Sequence, residues 1–223
     1  TRKYIEFSSQ EEFNKWIDDS YLLIGEAYFY QHNFMAAIDN FSYVIRKYPD
    51  EDASNEARIW LIRCYSESER FIEASEAIQA VQNEENFPRK LEKKLAIATA
   101  DYYMKQKEYA EAIKFLDIAI KKMFLKNNKA RLQYIVAQLY HEIGREDEAS
   151  KAYLAVTRMN PGYKMAFNAK INAAGIFSGE GDSEKIKKEL RKMLRDNKNI
   201  DFQDQIYYAL GNIYFKEGNR DVA

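Results

Sequence analysis

The side chains best suited to catalysis are scarce in this chain of 223 residues. It has one cysteine, Cys64, and two histidines, His32 and His141, which lie far apart in the sequence. A cysteine nucleophile needs a neighbouring base that activates it. The sequence also contains no Gly-rich phosphate loop, no G-x-S-x-G motif and no H-E-x-x-H motif. We therefore predict a chain that is not an enzyme and that binds no cofactor or metal.

The spacing of the apolar residues indicates helices. From Asp18 onward they recur every three or four positions in two runs, Tyr21, Ile24, Gly25 and Tyr28, then Ala37, Phe41 and Val44. This is the period of a helix with one buried face. Only eight Gly and three Pro residues are available for turns, which favours helices joined by short connections. The stretch is predicted to be a helical hairpin.

The hairpin recurs along the chain. An aromatic residue at position 11 of each unit is followed nine residues later by a small or apolar residue at position 20. The pairs are Tyr28/Ala37, Tyr65/Ala74, Tyr103/Ala112, Tyr140/Ala149, Phe177/Ile186 and Tyr214/Ala223. The units start at residues 18, 55, 93, 130, 167 and 204. The sequence predicts an all-α, right-handed solenoid of about five and a half antiparallel hairpins of ~37 residues, forming a single domain over residues 18–223.

Three places depart from the regular pattern. Residues 9–12 fit a capping box, so residues 1–17 are predicted to be an N-terminal helix that covers the first unit. In the fifth unit Ile186 replaces the small residue, and the turn before it contains Gly179 and Gly181. The sixth unit stops after its first helix, so we expect the protein to continue beyond Ala223.

The pattern resembles that of the tetratricopeptide-repeat family, W-x2-L-G-x2-Y followed by Ala, Phe, Ala and Pro at fixed offsets. In the first unit only Val44, where Ala is usual, departs clearly from that pattern. The resemblance implies a groove lined by positions 2, 5, 9 and 12 of each first helix, with position 5 forming an apolar seam from Leu22 and Ile59 to Tyr208. The candidate partner-binding residues are Arg63, Asp101, Arg131, Tyr134, Gln138, His141, Asn168, Tyr208 and Asn212.

Cys64 stands at position 10 of its unit. The same position holds Ala27, Tyr102, Leu139, Ile176 and Ile213 in the other units. Because all of these are apolar or aromatic, we predict a buried row in which Cys64 is a small core residue. His32 is predicted to be a plain turn residue.

Charge is divided unevenly along the chain. Residues 1–85 carry 8 basic and 17 acidic residues, and residues 86–223 carry 26 and 18, for a net charge of -1. This balance gives no indication of nucleic-acid binding, although the asymmetry can orient a partner. The basic runs at residues 121–129 and 185–198 are interpreted as a solvated outer face. A docking surface for acidic protein or anionic lipid is the alternative.

Residues 159–174 and 192–219, with 86–94 and 100–109, resemble the tetratricopeptide-repeat lipoproteins of Bacteroidota that serve gliding motility and type IX protein secretion (the PorW/SprE group). The resemblance implies a periplasmic adaptor between an outer-membrane translocon and periplasmic motor or ring components. Its membrane contact would be a lipid on a cysteine upstream of Thr1. Residues 45–65 resemble outer-membrane assembly lipoproteins, which is one alternative. A periplasmic peptide- or client-binding module is another.

Overall fold

The computed structural model describes residues 4–7, 10–176, 183–219 and 221, and most of this part of the chain is helical. It begins with two short strands, β1 (Tyr4–Phe7) and β2 (Gln10–Phe13). Eleven α-helices follow in the described residues: α1 (Ile17–Tyr30), α2 (Phe34–Lys47), α3 (Asp52–Glu67), α4 (Phe71–Gln82), α5 (Glu92–Lys105), α6 (Tyr109–Lys122), α7 (Lys126–Glu142), α8 (Glu146–Thr157), α9 (Tyr163–Gly175), α10 (Ser183–Leu194) and α11 (Gln203–Lys216). A 3-10 helix at Asn197–Phe202 precedes α11.

The predicted all-α fold of helical hairpins is confirmed. Each odd-numbered helix begins one to four residues before the start predicted for its unit, and the following even-numbered helix completes the hairpin. Three residues join the two helices in each of the first four pairs. The regular period of the apolar residues was therefore sufficient to locate the helices, because a helix with one buried face needs an apolar residue every three or four positions.

The N-terminal helix predicted for residues 1–17 is wrong for the part that the structure describes. Strands β1 and β2 pair in antiparallel fashion, with Tyr4 opposite Phe13 and Phe7 opposite Gln10. Tyr, Ile and Phe predominate in β1, and such residues favour strands. A capping box contributes only about 1 kcal/mol, so strand pairing outweighs it. Helix α1 starts at Ile17, and Trp16 just before it is 58% exposed.

The described chain consists of two compact units, unit 1 (Thr1–Phe115) and unit 2 (Leu116–Ala223), with the boundary inside α6. Unit 1 has 15 basic and 21 acidic residues, and unit 2 has 19 and 14. The charge asymmetry of the sequence thus follows the division into units. A single solenoid over residues 18–223 stays a prediction. No helix among the described residues combines the length and the apolarity needed to cross a bilayer.

Close helix packing in unit 1 depends on small residues. Ala37, Ala74 and Ala112, at position 20 of their hairpins, are fully buried. At position 8 of the first hairpin, a Cβ on Gly25 would lie 2.5 Å from Cε1 of Phe41. The Phe41 ring is itself fully buried and stacks on Trp60 with centroids 5.9 Å apart. Gly25 therefore lets α1 approach α2 directly over this ring.

Unit 2 is packed differently around its second hairpin. Ala149 at position 20 of the α7–α8 hairpin is fully buried, as in unit 1. In the α9–α10 hairpin Ile186 takes that position and is 6% exposed. It belongs to a core cluster with Phe167, Ala174, Leu190, Met193, Ile206, Ala209, Leu210 and Ile213. The departure predicted for the fifth repeat is thus a larger side chain, Ile186, that packs into the core.

Position 15 has a left-handed backbone in the five turns, each after the first helix of a repeat, where the structure describes this position. The residues and their φ angles are His32 (58°), Glu69 (59°), Lys107 (62°), Gly144 (72°) and Gly218 (82°). In each turn the N–H of the next residue donates to the carbonyl of the anchor tyrosine at position 11, at 2.8 or 2.9 Å. This is the six-to-one bond of a Schellman cap. His32 is therefore a turn residue, as predicted.

Replacing Lys107 with Gly is expected to stabilise the protein by about 0.5–1 kcal/mol. A residue with a Cβ is strained in the left-handed region and glycine is not, although glycine loses more entropy on folding. Urea unfolding followed by far-ultraviolet circular dichroism measures the change. Gly144→Ala at the equivalent turn is the control and should lose about 0.5–1 kcal/mol, since it adds the strain and regains the entropy. A loss of stability in Lys107→Gly would contradict the strain argument.

Candidate partner-binding groove

The residues suited to nucleophilic chemistry are placed as the sequence predicts. Cys64 is fully buried, and burial raises the pKa of its thiol to about 12. The row at position 10 is buried except for Ala27, which is exposed. Among the described residues no group of three or more His, Cys, Asp or Glu side chains is arranged to hold a metal ion.

Arg63 in unit 1 is a packing residue as well as a groove residue. Its guanidinium lies 4.2 Å from the ring centroid of Trp60 and 4.7 Å from that of Phe29. The two rings contact each other edge to face at 5.1 Å. A cation over aromatic faces is stabilised by their quadrupoles, so Arg63 joins α3 to α1 and is held in place before any partner binds.

Ion pairs between neighbouring repeats cross the surface of unit 1. Lys94 pairs with Glu56 at 2.6 Å, Lys105 pairs with Glu67 at 2.8 Å, and a third pair joins Lys90 to Asp52. Every pair spans 38 residues, which is one repeat. These pairs were not predicted from the sequence, although opposite charges at equal repeat positions were the available signal. Each exposed pair is worth only about 0.2–1 kcal/mol.

Asp101 lies beside the second of these pairs. Burial raises the pKa of its carboxyl, the charge of Glu67 raises it further, and Arg63 and Lys105 lower it. The net shift is upward. The ionised Asp101 carboxylate therefore lowers the free energy of unfolding at neutral pH.

Asp101→Asn is expected to raise the unfolding temperature at pH 7. The pKa of Asp101 is higher in the folded state than in the unfolded state, where it is near 3.8. The stability that protonated Asp101 contributes is therefore fully present below pH 3.8. It is lost as the pH rises through the pKa of the folded state. The difference between variant and parent should therefore vanish in acid and grow upward from pH 4. Thermal unfolding over this pH range measures it. A gain independent of pH would contradict the assignment.

The first groove cavity, of about 450 Å³, lies between residues of α7 and α9 in unit 2. It is lined by Arg131, Tyr134, Ile135, Lys164, Met165 and Asn168. Three of these are residues predicted from the sequence. Arg131, Lys164 and Asn168 are exposed, whereas Tyr134 and Met165 are partly buried. The cavity thus has an apolar floor with two cations at its edge.

The second groove cavity, of about 690 Å³, lies between α9 and α11. It is lined by His141, Ile171, Asn172, Gly175, Ile176, Asp204, Gln205, Tyr208, Ala209 and Asn212. His141, Tyr208 and Asn212 were predicted, and Tyr208 is 73% exposed. Its lining combines an apolar floor with amides and an imidazole, which are groups that can hydrogen-bond a peptide backbone.

A hydrogen bond links the two groove cavities. Nδ2 of Asn172 donates to the hydroxyl of Tyr134 at 2.7 Å, and the Tyr134 ring contacts Tyr153 edge to face at 5.1 Å. Burial raises the pKa of Tyr134, so its hydroxyl is neutral. Asn172 was not among the residues predicted from the sequence. It is the polar member of a position held by Leu23, Trp60, Ala98, Ile135 and Ala209 elsewhere, and that exception was the available signal.

Six of the nine predicted residues therefore lie in these two cavities. Arg63 and Asp101 belong to unit 1, and Gln138 is exposed on α7 but lines neither cavity. The apolar seam predicted at position 5 is only partly a surface feature. Leu22 and Ile59 are 8% and 4% exposed because they pack into the core of unit 1. Ile24, predicted on the buried face of α1, is 44% exposed.

Two tetratricopeptide-repeat family models match the chain, one over residues 22–90 and one over residues 130–163. The human intraflagellar transport protein 88 homolog is 27% identical over 132 residues, which cover 58% of this chain and 15% of that protein. This chain therefore corresponds to a small part of that relative.

Solved structures share the fold at low sequence identity. A tetratricopeptide repeat protein from Parabacteroides merdae aligns with a TM-score of 0.58 at 11% identity, covering 91% of this chain and 74% of that one. PilF of Pseudomonas aeruginosa aligns with a TM-score of 0.57 at 14% identity, covering 92% of this chain and 86% of that one. MamA aligns with a TM-score of 0.55 at 16% identity, covering 93% of this chain and 96% of that one. Identities this low show the fold alone.

Tetratricopeptide repeats generally mediate contacts between proteins, and scaffolds built from them are typically not enzymes. The family matches run from within α1 to just beyond α4 in unit 1, and from within α7 to the start of α9 in unit 2. The structure places helical hairpins at both stretches, with the alanines at position 20 fully buried and the anchor tyrosines partly buried. Residues 22–90 and 130–163 of this chain thus match tetratricopeptide repeats, and the described helical hairpins have the fold of the solved structures to which the chain is similar.

Proposed function

We propose that this chain is a non-catalytic protein–protein interaction scaffold that holds a partner along α7, α9 and α11 of unit 2. The observation that carries the proposal is the pair of groove cavities, of about 450 and 690 Å³, linked by the Asn172–Tyr134 hydrogen bond. Together they form a continuous surface large enough for several side chains of an extended segment.

The lining residues have the chemistry of an interface centre. Tyr and Arg contribute disproportionately to binding energy at protein interfaces, and Tyr208 and Arg131 project from this surface. Asn168, Gln205 and Asn212 offer amide donors and acceptors beside the apolar floor. An extended segment can place apolar side chains on that floor and satisfy its backbone with the amides.

More specifically, we propose an adaptor of a type IX secretion and gliding-motility machine, located in the periplasm and anchored to the outer membrane by an N-terminal lipid. Its partners would be translocon, motor or ring components. The resemblance of residues 159–174 and 192–219 to that group supports this proposal. Both segments contribute lining residues to the two groove cavities. Residues 159–174 contribute Lys164, Met165, Asn168, Ile171 and Asn172, and residues 192–219 contribute Asp204, Gln205, Tyr208, Ala209 and Asn212.

The test is an affinity capture with this chain as bait, using detergent-solubilised envelope of the source organism and mass spectrometry. A second bait carries Tyr208→Ala, and its matched control carries Tyr207→Ala. Both tyrosines are exposed on α11, at 73% and 62%, but only Tyr208 lines a groove cavity. We expect secretion or motility components with the parent and the control, and their loss with Tyr208→Ala.

Other outcomes would revise or overturn these proposals. Loss with Tyr207→Ala rather than Tyr208→Ala would place the contact outside the groove. Recovery of many unrelated extended proteins, sensitive to Tyr208→Ala, would retain the groove and replace the adaptor role with that of a peptide- or client-binding module. Recovery of no protein above the level of an unrelated bait would overturn the scaffold itself.

A further inference from the structure

Helix α10 and the residue after it carry a stripe of basic side chains. Lys185, Lys188, Lys192 and Arg195 follow one another at intervals of three, four and three residues, so they share one side of the helix. Ile186, Leu190 and Met193 are buried on the opposite side. Lys187 departs from the predicted solvated face, because it is 4% exposed and pairs with Glu184 and Glu217.

The stripe borders a basic cleft of about 430 Å³ between α9, the end of α10 and the 3-10 helix. The cleft is lined by Tyr163, Ala166, Phe167, Lys170, Lys192, Met193, Arg195, Asp196 and Asn199. An adjoining cavity of about 360 Å³ shares Ala166 and Lys170 and adds Arg158, Lys185 and Glu189. The basic cleft therefore has an apolar floor and a rim rich in cations.

The floor of the basic cleft is held rigidly. Asn199 is 2% exposed, and its Nδ2 donates to the carbonyl of Met193 at 2.8 Å. Its Oδ1 accepts a hydrogen bond from the hydroxyl of Tyr163. Phe167 lies beside Phe202 with ring centroids 5.3 Å apart. Because the buried amide and the rings already have partners, the cleft is preformed and does not have to be ordered by a ligand.

A carboxylate of the chain itself shows what this surface accepts. Glu189 accepts a hydrogen bond from Nζ of Lys170 at 2.9 Å, and the charges of Lys192 and Lys188 also act on it. Its pKa is lowered, first by the bond from Lys170. Within the described residues, Lys192 and Arg195 form no salt bridge. Lys170, Lys188 and Lys192 thus act on one carboxylate, and Lys192 and Arg195 can still pair with carboxylates of a ligand.

We propose that the basic cleft is a second docking site, and that its occupant is an acidic polypeptide segment carrying an apolar or aromatic side chain. Its carboxylates would meet Lys192 and Arg195, and its apolar side chain would fill the space above Phe167 and Met193. A concave pocket with an apolar floor suits a projecting side chain better than the plane of a bilayer. The net charge of unit 2, +5 from 19 basic and 14 acidic residues, is low for a nucleic-acid site.

This site goes beyond the groove of the proposed function. Lys164, Asn168 and Ile171 of α9 face the groove cavities, whereas Ala166 and Lys170 face the basic cleft. The two sets of positions lie on opposite sides of one helix. A chain with this arrangement can hold two partners at once, and the second site can be tested without knowing the partner of the first.

The experiment measures binding of a short fluorescein-labelled peptide of Glu and Leu with a single Phe, by fluorescence anisotropy on the full chain. The variant carries Lys192→Glu and Arg195→Glu. The matched control carries Lys121→Glu and Lys151→Glu, which are exposed elsewhere in unit 2 and change the net charge equally. We expect about tenfold weaker binding for the first pair and less than about twofold for the second.

Further arms of the experiment separate the proposal from its rivals. Glu189→Gln removes the internal carboxylate from Lys170 and should tighten binding several-fold, and a peptide with Gln in place of Glu should not bind. Equal losses in both double variants would reduce the site to general electrostatics and overturn it. Tighter binding of phosphatidylglycerol vesicles or of short duplex DNA than of the acidic peptide, abolished by the Lys192/Arg195 variant, would assign the cleft to a membrane or nucleic acid instead.

Discussion

Gly25→Ala is expected to destabilise the protein by about 1 kcal/mol, although alanine is the better helix former. A Cβ at this position would lie 2.5, 2.8 and 2.9 Å from three ring atoms of Phe41. The ring cannot retreat, because it is fully buried and stacked on Trp60. Overpacking of this kind costs about 1–3 kcal/mol and exceeds the gain in helix propensity of about 1 kcal/mol.

Urea unfolding of the full chain measures this loss. Gly175→Ala in α9 is the matched control, because no atom lies within 4 Å of the added Cβ. It should gain up to about 1 kcal/mol from propensity alone. Phe41→Leu combined with Gly25→Ala should lose less than the sum of the two single changes, since each relieves the other. Equal gains in Gly25→Ala and Gly175→Ala would show that α1 and α2 are not in contact at Gly25.

Ile186→Ala is expected to cost about 3 kcal/mol, even though it restores the residue found at position 20 of other repeats. Substitutions toward a repeat consensus commonly stabilise a protein. Here Ile186 is 6% exposed within the core cluster that includes Leu190 and Ile206. Removing its side-chain carbons loses their burial and leaves a cavity, which costs about 2–5 kcal/mol for this type of change.

The same unfolding measurement tests this prediction. Ile72→Ala is the control, because Ile72 is 74% exposed and its truncation should change stability by less than about 0.5 kcal/mol. Ala149→Ile, the reverse exchange in the preceding hairpin, should also be destabilising, by about 1–3 kcal/mol, since Ala149 is fully buried. If Ile186→Ala were neutral or stabilising, the α9–α10 hairpin would be able to close as tightly as the others.

These two predictions concern the same structural rule at different repeats. In the α1–α2 hairpin the small residue is required because an aromatic ring already fills the space opposite it. In the α9–α10 hairpin the larger residue is required because its neighbours leave that space open. The permitted size at position 8 or 20 is therefore set by the side chains that face it, and the repeat consensus alone does not determine it.

The sequence by itself determined the helices, their pairing into hairpins and the residues at the hairpin cores. Each of these depends on local spacing, since an apolar face every three or four residues and a recurring Tyr–Ala pair define a hairpin without reference to its neighbours. The burial of Cys64 and of the alanines at position 20 follows from the same pattern. The groove residues Arg131, Tyr134 and Asn168 were instead assigned through the resemblance to the tetratricopeptide-repeat family, and their role in binding stays a prediction.

Tertiary structure alone decided how those residues are used. The Asn172–Tyr134 bond and the Lys94–Glu56 pair join residues 38 apart, and Arg63 is held between rings from two hairpins. Such contacts depend on how adjacent hairpins stack. The spacing of apolar residues along one helix does not specify this stacking. The strands at Tyr4–Phe7 and Gln10–Phe13 were missed for a related reason. A helix cap is a weak local preference, and pairing with a second segment of the chain is sufficient to override it.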